Sequence, residues 1–584
     1  MTLPIDTLAA IRAVPNDDVP RLAWARALRD RGDPYGELIE IQCAQERCAE
    51  NSAEAREELG ARASALLAAH GDEWLDALGL RRREAVWNRG FVDTVTLTPA
   101  RLVEVGQRLA RGAPVRGLRL RGLAGDAATL VRALADPLLD VVTVLYLEGN
   151  DLGPDSAHVL AGATHLTGLT HLDLRDNPLG PDGVCALAGA THLANLETLH
   201  LSCRQESGDP PLGDTGVRAL AAASHLNRLT TLGLQFCRIS AAGALALALA
   251  PQLAGLCVLS LAGNDIGPDG ARAIVAGLPQ LTHVDLWGNS LGSDGASAIV
   301  GGLKRLTSLD LGGNDLDAAC VRAIAEAPHL EGLRELWLQD NTIGDAGARA
   351  LAAATHLIQL TILDLRGNDI GPAGVHALAH APRLASLRYL NLGYNPLGVE
   401  GARALADAKH LGQLTTLDLE HTELGAEGAW MLTRATQLSR LGTLQLGNNE
   451  LRAEGARAIA AATQLSRLTW LGLRGNELGP EGTRAIASAT HLARLQYLDL
   501  GHNMLGVDGA RALANAAHFA GLRHLRVQAN ELGPDGARAL AVAPWLPALE
   551  RLRLAPSDKV AHGLDDLRAV APALEIVGLE RSGT

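Results

Sequence analysis

The sequence predicts an α/β solenoid: repeated strand–helix units stacked into one inner parallel β-sheet with helices outside it, preceded by a small helical N-terminal domain. Three observations predict it. A unit of 27 residues recurs, as in residues 471–497, LGLRGNELGPEGTRAIASATHLARLQY, and again from Leu498. Self-similarity at such a period is the signature of stacked supersecondary units. Each unit alternates apolar and polar residues, reaches an Asn, and continues into a helix-like LGPDGARALA. At 584 residues, the chain is also too long for one ordinary globular core.

Residues 1–98 lack the period. Apolar residues at three- and four-residue spacing predict helices over 3–14, from about 19 to 31, over 35–48 and over 53–69. Asn16, Asp17 and Asp18 offer capping oxygens to the second, and Gly32 follows its end. Asp33-Pro34 reads as a turn, and residues 87–91 as a turn leading into a strand over 92–97. Asp17-Asp18, Arg21-Leu22-Ala23-Trp24-Ala25 and the run Arg31 to Ile39 (RGDPYGELI) resemble the bacterial repeat-companion domain, a small helical module found ahead of repeat arrays. The resemblance implies only accompaniment of repeats. An end repeat has one uncovered apolar face, so residues 1–98 are expected to act as an N-terminal cap.

From residue 99, aligning units on LxxLxLxxN places the Asn at 150, 177, 264, 289, 314, 341, 368, 395, 449, 476, 503 and 530. Leu123, Arg204, Cys237, Thr422 and Ser557 fill the slot elsewhere, giving an array of about 17 units over 99–557, with residues 558–584 as a C-terminal cap. In LDLRGN, Leu363 and Leu365 face the core while Asp364 and Arg366 face out, as strand alternation requires. The Asn amide can donate to and accept from backbone groups where the chain turns, so stacked copies form a ladder. Pro534 suits a first helical turn. Asp535 sits at the positive end of the helix dipole, three residues before Arg538, and the spacing recurs at 508/511, 400/403 and 454/457. An insertion around QESGDPPLGD predicts a protruding loop. Together the pattern is that of a leucine-rich repeat solenoid (horseshoe), and its helix half resembles the ribonuclease-inhibitor-like class. That class resemblance alone implies an alternative function, a GTPase-activating or other regulatory protein.

The balance of 52 basic against 65 acidic residues gives a net charge of −13, which argues against nucleic acid. Seven scattered Cys without CxxC spacing predict reduced thiols. No basic, apolar leader or long apolar run is evident, so a soluble, cytoplasmic, bacterial protein without a membrane segment is expected.

Function is expected on the outward strand positions. Only 16 aromatic residues occur, and eight of the 11 beyond residue 100 fall on or beside these strands: Tyr146, Phe236, Trp287, Trp337, Tyr389, Tyr394, Trp470 and Tyr497. Among them lie Asp285, Asp310, Asp364, Asp418, Asp499 and Glu420, with Arg175, Arg366 and Arg474. Rings amid charge suit a protein-binding hot spot, and the acidic tilt favours a partner with a basic surface. The competing reading is that some rings only shield the sheet. His165, His192, His225, His356, His410 and His491 share a slot with Gln280, Gln437 and Gln464, which favours helix-end hydrogen bonding over a metal row. The pair His376/His380 lacks the Glu of HExxH, and no nucleophile–base pair or phosphate loop stands out, so neither enzyme nor cofactor is expected.

Overall fold

The computed structural model describes residues 3–48, 53–203, 210–554, 564–572 and 574–577. Two compact units, Met1–Leu281 and Thr282–Thr584, divide the chain.

The first unit opens with four helices, α1 (Ile5–Ala13), α2 (Val19–Arg29), α3 (Pro34–Arg47) and α4 (Ala53–Asp76). Asp17 accepts from the Val19 N–H at 2.9 Å at the start of α2, whereas Asp18 turns away to pair with Arg89 at 2.6 Å. Asp33-Pro34 is a helix start rather than a free turn: Pro34 opens α3, and Asp33 accepts from the Tyr35 N–H at 2.9 Å. Helix α4 runs seven residues past the expected Ala69, straight through Gly71.

A hairpin follows, β1 (Ala85–Asn88) against β2 (Phe91–Leu97), and β1 was not expected. Its two-residue turn puts Arg89 at φ 50° and Gly90 at φ 84°, the left-handed pair that matches hairpin twist. Strand β2 also pairs in parallel with β3 (Gly117–Leu120), so β1 covers an edge that would otherwise present unpaired backbone groups. Helix α5 (Pro99–Gly112) returns between them, and Arg12 of α1 donates to the Ala110 and Ala113 carbonyls at its end (2.7 and 2.8 Å). The parallel ladder continues through β4 (Val144–Tyr146), β5 (His171–Asp173), β6 (Thr198–His200), β7 (Thr231–Gly233) and β8 (Val258–Ser260).

The second unit is built from strands β9 (His283–Asp285), β10 (Ser308–Asp310), β11 (Glu335–Trp337), β12 (Ile362–Asp364), β13 (Tyr389–Asn391) and β14 (Thr416–Asp418). It continues with β15 (Thr443–Gln445), β16 (Trp470–Gly472), β17 (Tyr497–Asp499), β18 (His524–Arg526), β19 (Arg551–Arg553) and β20 (Glu575–Val577), each parallel to the last. In the described part of the C-terminal segment, the expected last strand is therefore present as β20. Of the insertion, residues 204–209 lie outside the described residues, while residues 210–212 are described and lead directly into a helix over Gly213–Ala222; Ser557 also lies outside the described residues.

Each unit closes as its letters require. Leu471 and Leu473 are fully buried, as are Leu363 and Leu365. The Asn476 amide donates to the Leu446 and Leu473 carbonyls at 2.7 and 3.0 Å, while its oxygen accepts from Asn449 N at 2.9 Å and Leu451 N at 3.3 Å. Thr422 keeps half of this, its hydroxyl donating to Leu419 O at 2.7 Å. On the helices, Arg538–Asp535 (2.6 Å) and Arg511–Asp508 (3.2 Å) realise the expected three-residue pairs. Gly482 lets neighbouring helices approach: a Cβ there would lie 3.1 Å from that of Ala456. In the shared His/Gln slot the expected bond to the preceding repeat's helix end forms at some positions, whereas the buried Nε2 of His192, His225, His356, His410 and His491 completes no hydrogen bond there. His165 Nε2 lies 2.9 Å from Leu134 O, and Gln437 donates to Ala406 O at 2.8 Å.

Candidate functional site

Strand alternation turns two of each strand's three residues away from the helices, and the parallel register then sorts these into rows. The row of third residues in the second unit runs Asp285, Asp310, Trp337, Asp364, Asn391, Asp418. The row of first residues brings Tyr389, Trp470 and Tyr497, with Trp470 directly beside Tyr497. Trp287, Arg366 and Arg474 lie two residues past their strands. Phe236 and Tyr394 lie one further, at φ 57° and 56°. That last position is glycine in several repeats, including Gly263, Gly313, Gly367 and Gly475, so a bulky side chain there carries strain.

The acidic row has a local role that periodicity does not reveal. Each carboxylate accepts the N–H two residues on: Asp285 from Trp287 (3.3 Å), Asp310 from Gly312 (2.8 Å), Asp364 from Arg366 (3.0 Å) and Asp418 from Glu420 (2.9 Å). Asn391 does the same for Gly393 at 2.9 Å. The aspartates fasten the turn out of each strand.

Their charge is compensated unevenly. In the first unit, burial works to raise the Asp173 carboxyl, but the Arg175 guanidinium, 2.6 Å away, brings it below the usual range. In the second unit Asp310, Asp364 and Asp418 have no Arg or Lys within ion-pair distance among the described residues. Burial pushes Asp310 up to about 7, aided by repulsion from Asp285 and Asp364. It pushes Asp418 up to about 6, aided by Glu420 and Asp364. Asp364 is also raised by burial, though it accepts from the Asn391 amide at 2.9 Å and the Tyr389 hydroxyl at 3.2 Å. It is only 5% exposed, the least accessible of the expected binding acids in this row.

The rings gather in separate places. Trp337 and Tyr389 lie 5.6 Å apart amid these three aspartates, two of which Arg366 reaches only from beyond ion-pair distance. Arg366 sits 4.2 Å over Tyr394, which stacks on His421 at 5.0 Å. Trp470 and Tyr497 stack at 4.6 Å and 12°, with Arg526 5.2 Å over Tyr497. Exposed Arg474 reaches His502 at 3.4 Å. In the first unit Tyr146 packs under Arg119 at 4.5 Å and beside His171 at 5.3 Å. The ring partners His171, His421 and Arg526 were missed because a single repeat gives no reason to pair them; only register does.

His376 and His380 stack at 4.1 Å, with His380 Nδ1 against its neighbour's carbonyl oxygen. Among the described residues no group of three or more His, Cys, Asp or Glu is placed to hold a metal ion, and no helix is long and apolar enough to cross a membrane.

A leucine-rich repeat family model matches residues 165–188, 225–248, 256–275, 278–300, 332–352, 356–379, 383–406, 414–432, 491–514 and 522–541. No curated protein matches the chain. Similar solved structures include an internalin from Listeria monocytogenes (18% identity, 72% of this chain and 93% of that one, TM-score 0.34). Another is a leucine-rich repeat protein of Leptospira interrogans (22% identity, 77% and 98%, TM-score 0.38). A third is a plant peptide hormone receptor in complex with its peptide (16% identity, 84% and 95%, TM-score 0.30). With the strand ladder, the asparagine turns and the matched segments together, the chain is a leucine-rich repeat solenoid.

Proposed function

We propose that the protein is a noncatalytic protein-binding scaffold whose partner docks on the inner face of the strands, with its centre at Trp337, Tyr389, Asp310, Asp364 and Asp418. One observation carries this reading: three aspartates with raised carboxyls surround a pair of half-buried rings, and Arg366 acts on two of them only from beyond ion-pair distance. A partner's Arg or Lys would bring the missing charge and find ring faces beside it. Within the second unit the stacked Trp470–Tyr497 pair, Asp285, Trp287, Arg366, Tyr394 and Arg474 extend the surface; Tyr146 and Phe236 belong to a separate proposed surface on the strands of the first unit. Aromatic rings deliver large contact area at low entropy cost, which supports a binding role.

The same reading assigns residues 1–98 to an N-terminal cap of the repeat-companion kind, 99–557 to the array and 558–584 to a C-terminal cap. It assigns the repeats to the ribonuclease-inhibitor-like class on their 27-residue period and Pro-Asp-Gly helix start. A reducing, cytoplasmic setting belongs to the proposal and rests on the scattered Cys.

Quantitative affinity capture tests it, comparing wild type with Trp337→Ala/Tyr389→Ala at low and high salt. Proteins with basic surfaces should be held by wild type, lost from the double variant and weakened by salt. Identical capture by both would end the proposal.

A further inference from the structure

Cys237 stands in the slot that Asn fills in most repeats, and its thiol does a weaker version of the same work. It donates to the Leu201 carbonyl of the preceding repeat at 3.5 Å and to the Gln235 carbonyl at 3.3 Å. At the matching carbonyl of its own neighbour, Leu446, the Asn476 amide comes within 2.7 Å. The backbone is held as elsewhere in the array: the Cys237 and Ile239 N–H groups donate to the Asn264 side-chain oxygen at 3.1 and 2.9 Å. A thiol is a weak donor, so this turn leans less on its side chain than an Asn turn does.

A second sulfur lies against it. Cys203, three residues past β6, is tied to the next repeat by its N–H, which donates to the Gln235 carbonyl at 2.9 Å. That tie sets the two side chains beside each other, with the Sγ atoms 3.1 Å apart although 34 residues separate them in sequence. The gap is about 1 Å longer than the roughly 2.05 Å of a disulfide bond, and the two stand as separate thiols. Access divides them. Cys237 is fully buried, whereas Cys203 is half-buried and reachable from solvent. The hydrogen bond to Cys203, then burial, pushes the Cys237 thiol well above its ordinary range, so Cys237 keeps its proton. An oxidant meets the accessible sulfur first, and a neighbouring thiol is what turns the resulting sulfenic acid into a disulfide.

We propose that Cys203 and Cys237 are a peroxide-sensitive modification site, a dithiol that closes reversibly into a disulfide across two neighbouring repeats of the first unit. The Cys203 thiolate attacks one oxygen of hydrogen peroxide. The O–O bond breaks, the leaving hydroxide takes up the thiol's proton to become water, and Cys203 is left as a sulfenic acid. The Cys237 sulfur then attacks the Cys203 sulfur. The S–S bond forms, the S–O bond breaks, and the departing hydroxide carries off the Cys237 proton as a second water. Two electrons have passed from the sulfurs to the peroxide, and an external dithiol returns them by thiol–disulfide exchange. Transient disulfides of this kind operate inside reducing compartments, so the site is compatible with thiols that rest reduced.

The test treats the full chain with hydrogen peroxide, blocks the remaining thiols with N-ethylmaleimide and maps the peptides by mass spectrometry. Wild type is expected to lose two of its seven thiols and to yield one linked peptide pair joining Cys203 to Cys237, with both thiols recovered in dithiothreitol. Cys203→Ser should form no link. Cys237→Ser keeps a hydroxyl donor, as Thr422 does in the same slot, and should stop at a sulfenic acid on Cys203 that dimedone traps. Unchanged circular dichroism is expected in both variants. The proposal is overturned if the exposed Cys185 oxidises before the pair, if the disulfides formed join separate chains, or if dithiothreitol fails to restore the thiols. Absence of a dimedone adduct at Cys203 in Cys237→Ser would overturn it as well.

Discussion

Tyr394 holds a backbone conformation that glycine fills in neighbouring repeats, at φ 56° with 41% of its surface exposed. A non-glycine residue there costs about 1 kcal/mol or more, offset in part by the Arg366 and His421 contacts. Tyr394→Gly is therefore expected to leave unfolding stability within about 1 kcal/mol of wild type, or to raise it, while weakening partner capture. A stability loss of several kcal/mol would make the ring structural instead. Asp310 gives a second test. Its carboxyl titrates near 7 in the folded chain and near 3.9 in an unfolded one, so the native state binds the proton more tightly. Its contribution must then favour folding increasingly as pH falls from 8 through 7. Asp310→Asn keeps an oxygen for the Gly312 N–H, as Asn391 does for Gly393. Denaturation between pH 8 and 6.5 should find the variant more stable than wild type at pH 8, the gap closing on acidification. A gap that is constant with pH would refute the assignment.

Within one repeat, the Asn turn was legible because all its information is local: one residue type, one spacing, and a side chain that both donates and accepts. Asn476→Ala removes an amide serving Leu446, Leu473, Asn449 and Leu451. At about 1–3 kcal/mol per stranded buried group, chemical denaturation should show a loss of roughly 3 kcal/mol or more; a loss below about 1 kcal/mol would contradict the ladder. The helix pairs were readable for the same reason. Strand β1 was not, because four residues with a half-exposed face give too short an alternation, and what defines it is pairing with β2. Helix α4 continues past the expected Ala69 through Gly71, where an added Cβ would meet only Leu67 of the same helix, at 3.8 Å. The aspartates were read as face charge, whereas each also secures a backbone N–H.

Across the molecule, repeated units settle architecture early, and departures from the repeat carry what is particular to this chain. The cap proposal follows from edge coverage by β1 and from the Arg12 tie to α5. Deleting residues 1–84 with β1 should expose the β2 edge and cause aggregation; a soluble, monodisperse remainder would count against capping. The central claim is that partners meet the inner face. The most direct test is a photoactivatable amino acid placed at Trp337 and, separately, at Arg511 on an outer helix, followed by irradiation in lysate and identification of the adducts. The account predicts specific, salt-sensitive adducts from position 337 and none from 511. Adducts from 511 alone, or the same set from both, would contradict it.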